Sequence, residues 1–364
     1  MFFSTRVAVL FLLGALVASA PARAASERTF VASYGADSNS CSVAAPCRTF
    51  AAALGLTAAG GEVVALDSAG YGLVTITQSV SISAPAGIYA GITAPILNGS
   101  GVLIDAPGAT VVLRGLTIAS SAVTFGTGLT VQAAAQVTVQ RCTFEGGLLN
   151  GIRTFTSTSA QTAPLTISVS DSDFVGSAAT EILLGSPPTG AAVTANIHNV
   201  RMIGTDPHGM PGIEAIALSD GVNATIDSSR ISGYSTSIVL QSIGMPSFAG
   251  KVSINVTAWN NELTGGYVGV DAVTLATSMI VANLRGNVIS GTSSAFPSHG
   301  SPSPSSAIYA GGMVSVVLDG NTISGNSVGV TNKASSATIQ SYGNNQFEGN
   351  ATDFVGTVTP ATPQ

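Results

Sequence analysis

Val316-Val317-Leu318-Asp319-Gly320-Asn321-Thr322-Ile323-Ser324-Gly325 carries the pattern that decides the fold. Apolar residues alternate up to Leu318, an Asn follows a break, and an apolar residue with a glycine two places later closes the unit. Other copies end in Phe144-Glu145-Gly146, Phe174-Val175-Gly176, Ile231-Ser232-Gly233, Leu263-Thr264-Gly265, Ile289-Ser290-Gly291 and Phe347-Glu348-Gly349. With Met202 and a degenerate first copy at Ile118, the apolar anchors fall at 118, 144, 174, 202, 231, 263, 289, 323 and 347, at intervals of 24 to 34 residues. A period of two within each copy means strands, and the break before the anchor means a corner. A helical solenoid would need a period of 3.6 and fewer than the 42 glycines present. Stacked parallel coils satisfy the pattern, and nine of them at the strand spacing make a rod about 40 Å long. Asn261, Asn287, Asn321 and Asn345 lie two places before their anchors, where corner amides can form a ladder from coil to coil.

Composition limits what such a rod can do. The 364 residues include 12 Lys+Arg and 18 Asp+Glu, with 45% hydrophobic residues, so the chain buries a core and is not a disordered segment. A formal charge of −6 without a basic cluster excludes nucleic acid and anionic membrane surfaces as partners. Residues 1–24 read as an export signal: Arg6, an apolar run from Val7 to Val17, and the small-x-small site Ala22-Arg23-Ala24. Cleavage there removes Arg6 and Arg23 and takes the formal charge from −6 to −8. No later segment is long and apolar enough to span a membrane, so the expected location is extracytoplasmic, secreted or periplasmic.

In that compartment Cys41 and Cys47, with five residues between them, are expected to form a disulfide, free thiols being the alternative. No further Cys or His stands nearby to complete a zinc site. Cys142 sits at an apolar position of the repeat and reads as a small core residue. The domain expectation is one solenoid over residues 25–364, with a cap over 25–61, coils over about 62–350 and a tail over 351–364. Phe50, Leu54 and Ala58 share a helical face before Gly60-Gly61, which predicts a capping helix over Arg48 to Ala59. Two irregular stretches, Gly185 to Gly190 and the Ser/Pro-rich Thr292 to Ser306, interrupt the coils.

The repeat resembles the right-handed parallel β-helix superfamily of pectin lyase-like proteins. Phe30 to Asn39, Pro46-Cys47-Arg48-Thr49-Phe50 and Gly60-Gly61-Glu62-Val63-Val64 are similar to the opening segment of many secreted bacterial members. The resemblance implies an all-β, single-stranded, right-handed parallel β-helix, but that fold hosts lyases, hydrolases, esterases, epimerases and non-catalytic adhesins alike. None of the catalytic motifs of the polygalacturonase-like members is intact. The nearest fragments are Asp171-Ser172-Asp173, Pro207-His208-Gly209 and Ser298-His299-Gly300. Lys occurs only at 251 and 333, and no dense acidic cluster marks a calcium site of the lyase kind. Neither metal nor cofactor is expected.

Register points to one polar face. One place before the anchors the column reads Thr117, Thr143, Asp173, Arg201, Arg230, Glu262, Val288 and Thr322. Four places before, it reads Arg114, Gln140, Ser170, His198, Asp227, Trp259, Arg285 and Asp319. A glycan groove would use Trp259, the only tryptophan, as a stacking platform and His198, Arg201, Arg230, Arg285 and Asp227 as hydrogen-bonding groups. Asp173, Asp227 and Glu262 are the acid or base candidates if the groove cleaves its ligand. The plain alternative is a solvated face whose charges pair across adjacent strands. The expected function is therefore binding of a polysaccharide or cell-surface glycan without chemistry, ahead of a polysaccharide lyase or glycoside hydrolase and of a structural spacer.

Overall fold

In the computed structural model, residues 25–361 are described apart from 96–98, 121–125, 155–160, 187–190, 205–210, 218–220, 243–252, 275–277 and 294–304. Residues 1–24, read above as an export signal, His208, His299 and Lys251 lie outside the described residues. The chain forms an all-β parallel solenoid of three sheets. Sheet 1 has thirteen strands from Ser26–Val31 to Thr359–Pro360, and sheets 2 and 3 have eleven each. One coil runs from a long strand of sheet 1, such as Gln136–Gln140, through a corner to a three-residue strand of sheet 2, Thr143–Glu145. It then turns into sheet 3 at Ile152–Arg153 and returns to sheet 1 at Leu165–Ser170. Each strand pairs with its equivalent one coil on.

The expected anchors form the interior stack of sheet 2: Ile118 pairs with Phe144, Phe144 with Phe174, and Phe174 with Met202. The Phe144 and Phe174 rings lie parallel with centroids 4.8 Å apart, one strand spacing. The stack begins earlier than residue 118, because Ile92 pairs with Ile118, and Tyr71 follows the Ala69–Gly70 strand that pairs with Ala90–Gly91. Glycines two places past the anchors make the next turn. Gly146 has φ 75°, and a Cβ there would stand 2.5 Å from the Ser120 carbonyl oxygen of the preceding coil. Cys142 is buried in this core, and burial pushes its thiol up to about 11.

The asparagine ladder is present. Asn261 donates its backbone N–H and its Nδ2 to Asn287 Oδ1, Asn287 does the same to Asn321 Oδ1, and Asn321 to Asn345 Oδ1. Ser229 begins it by donating its N–H to Asn261 Oδ1 at 2.9 Å. A second ladder joins Thr292, Asn326 and Asn350 beyond the next turn.

At the N-terminal end the helix is shorter than the expected Arg48 to Ala59. It covers Phe50–Leu54, capped by Thr49 Oγ1 accepting from the Ala52 N–H. Residues 58–61 belong to the strand Thr57–Ala65, which pairs with Ser26–Val31 at Thr57 and again from Glu62 on with an irregularity between, so the strand pairing on either side overrides the helical spacing of Ala58. Phe50 packs on Tyr71, the end of the anchor stack, at 5.0 Å between centroids. The Cys41–Cys47 disulfide is formed. Of the irregular stretch at Gly185 to Gly190, Gly185 and Ser186 end the strand Ile182–Ser186, and the remainder lies outside the described residues, as does most of Thr292 to Ser306.

Candidate functional site

The site follows the corner between sheets 1 and 2. Five residues that are not glycine take the left-handed conformation there, one per coil: Arg141, Asp171, Asn199, Ser228 and Asn260, with φ between 49° and 56°. Gly115, Gly286 and Gly320 fill the same place in other coils, the conformation being one that L side chains adopt at a cost. The sharp bend sets the end of sheet 1 against sheet 2 and opens a groove of 640 Å³ along the rod, lined by Asp171, Asp173, Asn199, Arg201, Arg230 and Glu262 among others.

Both columns lie in the register read from the sequence. In sheet 1, His198 pairs with Asp227, Asp227 with Trp259, Trp259 with Arg285 and Arg285 with Asp319. In sheet 2, Asp173 pairs with Arg201, Arg201 with Arg230 and Arg230 with Glu262. Each candidate carboxylate is held by a cation or imidazole one coil away. Arg201 Nε donates to Asp173 Oδ1 at 2.8 Å, and this contact raises the affinity of the guanidinium for its proton. Arg230 Nη2 reaches Glu262 Oε2 at 2.6 Å, His198 Nδ1 meets Asp227 Oδ2 at 2.6 Å, and Arg285 Nε donates to Asp319 Oδ2 at 2.9 Å. Asp173 and Glu262 stand three strand spacings apart, about 14 Å at the backbone, with the two arginines between them. Paired glycosidase carboxyls need about 5 to 9.5 Å.

Trp259 points outward and is 42% exposed. The structure adds an aromatic that register counting misses: Tyr342 donates its N–H to Leu318 O, one residue past the Ser341–Leu318 pair, and so extends the Trp259 column beside Asp319. One extra residue at this last corner shifts Tyr342 off the four-place offset. It lines a second groove of 650 Å³ with Thr257, Asn283, Arg285, Asp319 and Asn344.

The chain matches no family model, and no curated protein and no solved structure matches it.

Beside the tryptophan run two more outward columns of sheet 1 whose members from Thr138 and Thr166 onward, as far as Asn283 and Asn255, are uncharged. One includes Thr138, Ser168, Asn196, Thr225, Thr257 and Asn283 in successive coils. The other includes Thr166, Thr194, Asn223 and Asn255, and Asn255 Nδ2 donates to Asn223 Oδ1 at 2.9 Å. These hydroxyls and amides recur at the strand spacing, with both donors and acceptors facing out. No group of three or more metal-ligating side chains occurs among the described residues.

Sequence reasoning also misses two acids at sheet 3, Glu181 buried and Glu214 half-buried. Glu181 is fully buried and accepts from the Ser177 N–H at 3.0 Å and from the Tyr234 hydroxyl at 2.8 Å. Burial raises its carboxyl above the usual range, and raises that of Glu214, which accepts from Thr180 Oγ1 at 3.1 Å. Glu181 stands one residue before the strand Ile182–Ser186 and Glu214 lies within the strand Ile213–Ala217, both next to apolar residues, and nothing in the repeat marks them.

Proposed function

We propose that the protein is an extracytoplasmic glycan-binding solenoid that performs no chemistry at the corner groove. One observation carries the reading: the acid and base candidates of the two columns are tied up in ion pairs between coils, while Trp259 stands exposed in line with Tyr342 beside uncharged hydroxyls and amides. An acid or base must be free to exchange its proton with substrate, whereas a stacking platform needs only an open face. The two aromatics are three strand spacings apart, about 14 Å, along a direction an extended sugar chain can follow. The disulfide suits an oxidising compartment, and the resemblance to parallel β-helix proteins adds weight to a carbohydrate ligand.

Substituting Trp259→Ala tests this. Retention on the polysaccharide that the wild type binds best, measured by affinity electrophoresis, should weaken by five- to thirtyfold, the equivalent of about 1–2 kcal/mol. Unchanged retention would sink the reading.

Cleavage of a polysaccharide is a second reading, favoured by one observation on sheet 3. The half-buried acid Glu214 lies two coils, about 10 Å, from Arg153. The Arg153 Nε is buried without a hydrogen-bond partner. A desolvated acid near a guanidinium with one unpartnered N–H is an arrangement that proton-transfer sites use. Release of reducing ends or unsaturated products that disappears in Glu214→Gln would replace the binding reading with this one.

A further inference from the structure

Four arginines answer a carboxylate across one coil: Arg28 on Glu62, Arg201 on Asp173, Arg230 on Glu262 and Arg285 on Asp319. Arg114 and Arg141 do not. Arg114 Nε donates to the neutral Gln140 Oε1 at 3.1 Å. Arg141 follows Gln140 at the left-handed corner, exposed, and its side chain has no hydrogen-bond or ion-pair partner among the described residues. Both guanidinia line one pocket of 350 Å³ whose floor includes Phe30, Val64, Ala84 and Pro85. Its one carboxylate, Glu62, is already taken by Arg28 Nη2 at 2.8 Å and by the Ser83 hydroxyl at 2.7 Å. In a chain of formal charge −6 this pocket gathers two cations with nothing to neutralise them.

We propose that this pocket binds the oxyanion of an acidic sugar residue carried on an otherwise neutral glycan. The inference rests on the glycan-binding reading and names the ligand's chemistry and where its charged unit sits. Two guanidinium forks suit a carboxylate or a sulfate ester, and an apolar floor beside them suits the carbon face of a pyranose ring. Register gives the rest of the ligand its course. Arg114 belongs to the same outward column as Trp259, five strand spacings or about 24 Å further on, through Gln140, Ser170, His198 and Asp227. Beside that path lie the uncharged Thr138, Ser168, Asn196 and Thr225. A polyanion does not fit this course, because the column's arginine beyond the pocket, Arg285, is matched by Asp319 and the protein as a whole is acidic. An isolated acidic unit meets its two cations at one end and a neutral surface afterwards.

The test uses the chain from residue 25 onward and three polymers: a neutral glucan, the same glucan with a few of its C6 groups oxidised to carboxylates, and the same glucan sparsely sulfated. Wild type should bind at least one of the charged glucans about tenfold more tightly than the neutral one, the worth of a charge-assisted hydrogen-bond pair. Which of the two gains names the oxyanion. The gain should vanish in Arg114→Gln/Arg141→Asn, the Asn chosen because it tolerates φ 52°, and in about 1 M salt, where charges are screened beyond about 3 Å. Trp259→Ala should weaken all three polymers and leave their ratio unchanged. Equal binding of the three, or a gain that survives the double substitution, would overturn the pocket. If no polymer is retained, the glycan reading fails and the pocket is judged with free glucuronate and inorganic sulfate. A rise in Tm in wild type but not in the double variant upholds an oxyanion site, and no rise overturns it.

Discussion

Glu181 stands where other coils place glycine or another small residue. Gly128, Gly151, Gly212 and Gly269 occupy the same position, one residue before Leu129, Ile152, Ile213 and Val270, which share a register with Ile182 in sheet 3. The following coil crowds this place through its backbone and its anchor: a Cβ at Gly269 would stand 2.5 Å from both Ala307 O and Ile289 Cγ2, and one at Gly128 would stand 2.6 Å from Gly151 O and 2.9 Å from Phe144 Cδ1. At Glu181 the following anchor is Met202, an unbranched side chain that leaves space for a longer neighbour. Burial raises the Glu181 carboxyl, so the folded state holds its proton more tightly than the unfolded chain. The stability tied to that proton is therefore complete below the unfolded value near 4.3 and is lost as pH rises through the raised folded value. Glu181→Gln keeps an acceptor for Tyr234 and the Ser177 N–H and offers an amide donor to the Ser177 hydroxyl, without a charge to desolvate. Thermal unfolding between pH 4 and 8 should show the variant matching wild type at the acid end and exceeding it at the alkaline end. A wild-type Tm that rises with pH through this window relative to the variant would contradict the raised carboxyl.

Among the elements, the asparagine ladder sets the register between coils. Asn287 is buried, and its amide serves four groups: Oδ1 accepts the N–H and Nδ2 of Asn261, while Nδ2 donates to the Ala258 carbonyl and to Asn321. Asn287→Ala strands these partners away from water and should cost about 2–4 kcal/mol in denaturant unfolding. Asn345→Ala, at the half-buried end of the ladder, should cost nearer 1 kcal/mol because solvent replaces the amide. Equal costs at the two positions would mean that burial does not govern the ladder. This element was legible in the sequence because stacked coils must repeat any residue that bridges them, and so were the anchors from Ile118 to Phe347. Tyr71 and Ile92 were not, since they stand only 21 residues apart and lack both the Asn two places before and the Gly two places after. The end of the helix was hidden by pairing: Ala58 keeps helical spacing, but its backbone belongs to a strand. At the site, register placed Trp259 and the charged columns correctly, whereas the ion pairs depend on which way each side chain turns along the rod. Arg114 was read within its column, yet its lack of an acid became visible only when the other arginines were seen to have one.

At the scale of the whole molecule, the solenoid couples each coil mainly to its two neighbours, so a local loss should stay local. The N-terminal end concentrates the devices that close an open sheet edge. The Cys41–Cys47 loop lies against the outer strand Ser26–Val31, with the Phe30 N–H donating to Cys41 O at 2.8 Å and the Cys47 N–H donating to Phe30 O at 2.9 Å. Asp37 holds the start of the helix by accepting from the N–H groups of Arg48 and Thr49, and Asp67 ties the same end through Ser33 and Tyr71. These hydrogen bonds lower the Asp67 carboxyl below its ordinary value. Without the loop, Ser26–Val31 would present an unpaired edge to solvent. Replacing both cysteines by Ala removes a short closure worth about 2 kcal/mol in the chain-entropy view. Hydrogen exchange should then show faster exchange in Ser26–Val31, Thr57–Ala65 and Val80–Ser83, with protection unchanged from Leu165–Ser170 onward. A uniform loss of protection along the chain would show instead that the rod unfolds as one cooperative unit, with the capped end supporting every coil beyond it.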